Sequence, residues 1–124
     1  MANYTGKNPF KIPRPIRTPG GFNVEILAGG KVLTYQDSQH QALDPGGSHR
    51  NVAMPAAGAR EGHWFWIANT ANGAENLVLQ QPDASTGLAT LNQNEAALVF
   101  CLADGAAAHA TGWSLFAIFT IAIS

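Results

Sequence analysis

The chain has 124 residues, enough for one domain, and 46% of them are hydrophobic, which excludes a globally disordered protein. Only 12% are charged, about half the usual share, and this favours a surface that is partly covered by another protein. The single cysteine, Cys101, excludes an internal disulfide and is expected to be a small buried hydrophobic residue.

Residues 1–21 predict an extended arm. Four prolines interrupt this segment, and because proline lacks an N–H group, neither a helix nor a central strand can form there. In polyproline-II geometry, at about 3.1 Å per residue, the arm reaches on the order of 60 Å. It carries a net charge of +4 and no acid. Its cations are Lys7, Lys11, Arg14 and Arg17, and its large apolar side chains are Phe10, Ile12 and Ile16.

Residues 22–124 predict a body made of β-strands. Apolar residues alternate with polar ones from Phe22 to Ile26, and the pair Gly29-Gly30 predicts a hairpin into a second strand over 32–35. A turn is expected at 44–47. Further strands are predicted over 50–54, 64–69, 76–80, 88–91, 95–102 and 113–123. About eight short strands at this spacing predict an all-β fold, an antiparallel β-sandwich or jelly-roll-like barrel with an extended N-terminal arm.

Three tryptophans invite a second interpretation. Alternation places Trp64 and Trp66 on one face of a central strand, where paired aromatic residues are expected to pack into the core. Indole rings also stack on sugar rings. A carbohydrate- or receptor-binding fibre or head module, which uses these tryptophans at its surface, is therefore the alternative function.

The last predicted strand is apolar on both faces. One face holds Trp113, Leu115, Ala117, Phe119 and Ile121, and the opposite face holds Phe116, Ile118 and Ala122. Water cannot solvate such a strand well on either side. Either the strand is central in its sheet or one of its faces contacts another subunit; we favour the second and expect Phe116, Ile118 and Ala122 to lie at that contact.

No motif predicts catalysis, a metal or a cofactor. The four histidines, His40, His49, His63 and His109, are scattered near turns instead of lying one or two residues apart on a strand. No Gly-x-Ser-x-Gly motif is present, and the eight acids are spread along the chain. We expect a protein that is not an enzyme; a small metal-dependent β-barrel isomerase is the rival.

Nucleic acid and membrane partners are not expected. The arm is basic, but its prolines prevent a groove-binding helix, and residues 61–124 carry five acids with no Lys or Arg. The N-terminus lacks the apolar segment of a secretory signal, and the run 113–123 is too short to span a bilayer as a helix.

The order of motifs from Lys31 to Ile118 resembles the small decoration, or cement, proteins of tailed-bacteriophage heads. The resemblance is carried by Leu33-Thr-x-x-Asp-Ser38, Arg50-x-Val-x-Met-Pro55-Ala-Ala, Trp64-x-x-Ile-x-Asn69, Thr90-Leu-Asn-Gln-Asn-Glu95-Ala-Ala and Gly112-Trp113. The chain departs from the pattern at Gln39, where a glycine often follows the serine. The resemblance implies a trimeric β-rich knob on local threefold axes of the capsid, which clamps neighbouring major capsid subunits after DNA packaging expands the shell.

The expected function is therefore a structural virion protein that binds the outer surface of an icosahedral phage head and stabilises contacts between major capsid subunits. The expected partners are two further copies in a homotrimer and the major capsid protein. The arm's cations would meet acidic patches, and its apolar side chains would fill shallow grooves. The expected location is the capsid surface of the virion, after synthesis in the host cytoplasm.

Overall fold

The computed structural model describes residues 21–56, 61–102 and 112–122, and these ranges contain nine β-strands and no helix. The strands are β1 (Phe22–Ile26), β2 (Lys31–Val32), β3 (His40–Asp44), β4 (Arg50–Ala53), β5 (Trp64–Asn69), β6 (Leu77–Gln80), β7 (Gly87–Leu91), β8 (Glu95–Cys101) and β9 (Trp113–Thr120). The all-β prediction is confirmed. Residues 1–20 lie outside the described ranges, so the arm remains a prediction.

The strands form two mixed sheets. A five-stranded sheet has the order β1-β3-β5-β8-β9, and a four-stranded sheet has the order β2-β4-β6-β7. The pairs β1·β3, β3·β5, β2·β4 and β4·β6 are parallel. The pairs β5·β8, β6·β7 and β8·β9 are antiparallel. The prediction of an antiparallel fold is therefore wrong for the first six strands.

The parallel pairs follow from the path of the chain. The first six strands alternate between the two sheets. After each strand the chain passes through a strand of the other sheet and then returns to the first sheet. This passage is the crossover connection that two parallel neighbours require. The hairpin predicted at Gly29-Gly30 is wrong, because β1 and β2 lie in different sheets. Residues 27–30 carry the chain across the core instead of folding it back on its neighbour.

Strand β3 has no counterpart among the predicted strands. Gln41 and Leu43 point into the core, with 1% and 0% of their surface exposed. The Gln41 amide is accommodated because its Nε2 donates to the Ser38 carbonyl at 2.7 Å and its Oε1 accepts from the Asn23 amide at 2.7 Å. A glutamine at an inward position hides the alternation by which a strand is normally predicted.

One hydrophobic core cluster draws on both sheets. The five-stranded sheet contributes Leu43, Phe65, Ile67, Ala97 and Val99, and the four-stranded sheet contributes Val52, Leu77, Leu79 and Leu91. Cys101 is buried, as predicted.

The side-chain amide of Gln81 fixes the start of β9 beside the end of β6. Its Nε2 donates to the Trp113 carbonyl at 2.7 Å, and its Oε1 accepts from the Trp113 N–H at 3.0 Å. The indole N–H of Trp113 donates to the Pro55 carbonyl at 3.1 Å. These bonds hold β9 in place as one edge of the five-stranded sheet.

The structure describes no helix of the length and apolarity that a membrane crossing requires.

Candidate protein interaction face

Strand β1 turns its apolar side chains away from the core. Phe22, Val24 and Ile26 are 61%, 76% and 73% exposed, whereas Asn23 and Glu25 are only partly exposed on the inward side. An amphipathic strand at a sheet edge normally has the opposite orientation, because burying the apolar side removes it from water. The orientation of β1 therefore leaves three large apolar side chains without cover.

A polar network on the inward side fixes this orientation. The Asn23 amide donates to Gln41 Oε1 at 2.7 Å and to Glu25 Oε1 at 3.1 Å, and Lys31 Nζ donates to the same carboxylate at 2.9 Å. Shifting β1 by one residue would turn these polar groups outward and break the network. The hydrogen bonds thus specify which side of β1 faces solvent.

The network also predicts a dependence of stability on pH. The hydrogen bond from Lys31, followed by that from Asn23, lowers the pKa of Glu25 below 4.5. The stabilisation that these bonds to Glu25 provide is present at pH values above the ordinary pKa of 4.5 and is lost as the pH falls through the lowered pKa of the folded state. Because Glu25 is 39% exposed, we expect an effect below about 1 kcal/mol after solvent screening. Urea unfolding at about pH 7 and about pH 3 should show this loss in the native chain but not in Glu25→Gln; equal losses would contradict the assignment.

The side of β1 that carries Phe22, Val24 and Ile26 continues across the five-stranded sheet, and within it Ala68 and Ala96 are buried, with 6% and 0% of their surface exposed. Strand register aligns two rows of residues on this side of the sheet. One row is Phe22, His40, Trp66, Leu98 and Ala117, and the other is Val24, Ala42, Ala68, Ala96 and Phe119. We call these ten residues, together with Ile26, Asp44, Trp64, Phe100, Ser114 and Phe116, the outer face.

An open groove of about 380 Å³ lies on the outer face and is lined by His40, Trp64, Trp66, Leu98 and Phe100. Within the face, the ring centroids of His40 lie 5.5 Å from Phe22 and 5.7 Å from Trp64. The centroid of Trp66 lies 5.3 Å from that of Phe119. These ring contacts join β1, β3, β5 and β9 into one aromatic-rich surface.

The prediction that Trp64 and Trp66 pack into the core is wrong. Both are half-buried on the outer face, whereas the residues that alternate with them, Phe65 and Ile67, are fully buried at 0% exposure. Periodicity identified the two sides of β5 correctly. It did not show which side the second sheet covers, because both sides carry large apolar residues.

A bulge changes the predicted faces of β9. Val99 pairs with Leu115 and Leu98 pairs with Ala117, so Phe116 is the extra residue between them. Its ring lies 5.8 Å from that of Phe100, nearly perpendicular, on the outer face. Strict alternation from Trp113 to Ile121 is therefore wrong, since Leu115 packs against the core and Phe119 lies on the outer face.

The three residues predicted at a subunit interface occupy different places. Phe116 is 69% exposed on the outer face, and Ile118, 41% exposed, pairs with the core-facing Ala97. Ala122 is exposed beyond the end of β9. Their contact with another subunit stays a prediction. The seven arm residues predicted to bind capsid lie outside the described residues, namely Lys7, Phe10, Lys11, Ile12, Arg14, Ile16 and Arg17.

The outer face carries few ionisable groups. It carries no Lys, Arg or Glu, and its ionisable groups are His40 and Asp44. The Asp44 carboxylate accepts from the Gly46 N–H at 2.8 Å, which stabilises the turn after β3. A surface of this composition suits another apolar protein surface better than a charged ligand.

The histidines do not converge. His40 lies on the outer face, His49 Nδ1 accepts from the Asn76 N–H at 2.8 Å, and the His63 ring lies 4.8 Å from that of Tyr35. Over 21–56, 61–102 and 112–122, no three His, Cys, Asp or Glu residues are grouped closely enough to hold a metal ion. His109 lies outside these ranges.

The sequence prediction missed the contribution of β1 and β3 to this face. The usable signal was the sequence Asn23-Val-Glu25 followed by Lys31, which provides partners for an inward polar side.

Comparison with protein-family models, with curated proteins and with solved structures finds no match to this chain.

Proposed function

We propose that this protein is a structural virion protein that binds the outer surface of an icosahedral bacteriophage head and stabilises contacts between major capsid subunits. The observation that carries the proposal is the exposed apolar area of the outer face, which supports the assembly of this chain with other protein subunits. Exposed apolar patches of this extent are typical of proteins that assemble with other proteins.

The proposed body is a β-sandwich that acts as a homotrimer, and the arm is its attachment to the capsid. The arm joins the body at Gly21, immediately before β1 in the sequence. Its four cations supply long-range attraction to acidic capsid patches, but exposed ion pairs give only about 0.2–1 kcal/mol each. Phe10, Ile12 and Ile16 therefore supply the buried apolar area.

Several arms on one oligomer bind more strongly than one arm. When one arm is bound, the others act at high effective concentration, so weak contacts add to a stable attachment. This arrangement suits a protein that must attach only where several capsid subunits meet.

Deleting residues 1–19 tests the role of the arm. We expect the truncated protein to keep its oligomeric state and to bind expanded phage heads at least about tenfold more weakly, because it lacks all four cations and the apolar residues between them. Co-sedimentation with purified heads measures the occupancy. Deleting residues 2–6, which carry no charge, is the matched control and should leave occupancy unchanged. Equal occupancy for the two deletions would refute the attachment role.

A carbohydrate-binding function is the second candidate, because Trp64 and Trp66 present half-exposed indole rings side by side. Sugar recognition also requires hydrogen-bonding groups around the stacked ring. Among the described residues that line the groove, only His40 and the indole N–H groups of Trp64 and Trp66 can hydrogen-bond through their side chains. We therefore expect no quenching of tryptophan fluorescence by oligosaccharides, and saturable quenching would favour this second function over the first.

A further inference from the structure

We infer that the outer face is the surface through which copies of this chain bind each other. The inference deepens the homo-oligomer part of the proposed function and places the interface across the whole five-stranded sheet, from β1 to β9. It assigns a direct role to residues of β1, β3 and β5, whereas the sequence indicated only the last strand.

The outer face carries both an apolar ridge and an apolar groove. Phe22, Val24 and Ile26 form an exposed apolar ridge along one edge of the sheet. The groove lies on the same face and begins at β3, whose His40 lines it and pairs with Phe22 of the ridge. A second copy can place its ridge against this groove, and the groove can receive large apolar side chains. Because ridge and groove are different parts of one subunit, such contacts can also close into a ring of copies.

The charge of the face favours a second copy over the arm as occupant. The arm carries +4, and the face offers it only Asp44, whose carboxylate already binds the Gly46 N–H. Laying the arm on the face would remove water from its cations without giving them partners, which is unfavourable. An identical face carries no Lys or Arg and avoids this cost.

The size of the face also favours a second copy over a single extended segment. Five strands about 4.8 Å apart, with five to eight residues each rising about 3.3 Å, give a projected area of about 500 Å². A stable interface buries about 800 Å² of accessible surface on each partner, and protruding side chains make the accessible area larger than the projected one. A contact must therefore use most of the sheet to be stable. A single extended segment would cover only one strip of it.

Lysine substitutions on the ridge test the interface in the absence of phage heads. We expect the full chain to sediment as an oligomer at micromolar concentration and Val24→Lys/Ile26→Lys to sediment as a monomer. The dissociation constant should rise at least about 100-fold, because each lysine would be buried without a partner. Both side chains are more than 70% exposed, so the substitutions leave the core intact, as far-UV circular dichroism should verify.

Val32→Lys is the matched control. Val32 is 69% exposed but lies on β2 in the other sheet, so this variant should remain oligomeric. A monomeric native chain would overturn the inference, as would a double variant that assembles as well as Val32→Lys. Deleting residues 1–20 adds a third outcome: if only the truncated chain associates, the arm covers the face and the inference is wrong. Because no heads are present, none of these results depends on capsid binding, which the arm deletion measures separately.

Discussion

Replacing Asn69 by aspartate is expected to lower the free energy of unfolding by about 3–5 kcal/mol at neutral pH, the largest effect of any single change proposed for this chain. Asn69 is fully buried at the end of β5. Its Nδ2 donates to the carbonyls of Glu75 and Leu91, each at 2.9 Å, and its Oδ1 accepts from the Ala71 N–H at 2.9 Å. Aspartate keeps the acceptor but directs a second oxygen at two carbonyl oxygens.

Urea unfolding of Asn69→Asp against the native chain measures this loss. Acidification should restore part of it, because the introduced carboxyl is disfavoured in its charged form and, once protonated, can donate one of the two lost bonds. Asn72→Asp is the matched control in the exposed turn that follows, and it should stay within about 0.5 kcal/mol of the native chain. Similar losses in both variants would show that Asn69 does not hold these segments together.

Replacing Gly46 by alanine is expected to cost about 2–4 kcal/mol. Gly46 has φ of +73°, and a Cβ there would collide with the backbone carbonyl oxygen of Leu27. The cost combines the left-handed conformation, about 1 kcal/mol for a residue with a Cβ, with the displacement of a packed backbone segment. Since Leu27 N–H donates to the Asp44 carbonyl at 2.8 Å, that displacement also strains the bond that joins the ends of β1 and β3.

Gly47→Ala separates the two contributions. Gly47 has φ of +91°, and a Cβ there would meet no atom within 4 Å, so this variant carries the conformational cost alone. We expect thermal and urea unfolding to show a loss of about 1 kcal/mol for Gly47→Ala and a clearly larger loss for Gly46→Ala. Equal losses would mean that the approach of Leu27 to the turn does not constrain β1.

The two positions bear on the self-association proposed above, because they stabilise strands that form the outer face. Asn69 fixes the end of β5, which carries Trp64 and Trp66, and the turn at Gly46 fixes β1 and β3 relative to each other. Self-association through this face, as proposed, requires its strands to keep register. We therefore expect partial loss of self-association at temperatures where these variants begin to unfold locally.

Local pattern was sufficient to predict most strands. The runs 50–54, 64–69, 76–80, 88–91 and 95–102 correspond closely to β4 through β8, because alternation and turn residues act within a few positions of each other. Strand β3 escaped prediction because Gln41 occupies a core position, and only its hydrogen bonds to Ser38 and Asn23 make that position acceptable. Ser38 lies three residues before Gln41, but Asn23 lies 18 residues away and outside any local window of sequence.

By itself, the sequence determined the all-β class, the positions of most strands, the buried state of Cys101 and the separation of charge between the basic segment 1–21 and the acidic segment 61–124. Only the tertiary structure decided which strands are parallel and which side of β1 and β5 faces outward. The physical reason is that a period of two distinguishes the sides of a strand without specifying the side that the second sheet covers. That choice depends on partners distant in the chain, such as Gln41 for Asn23, 18 residues away.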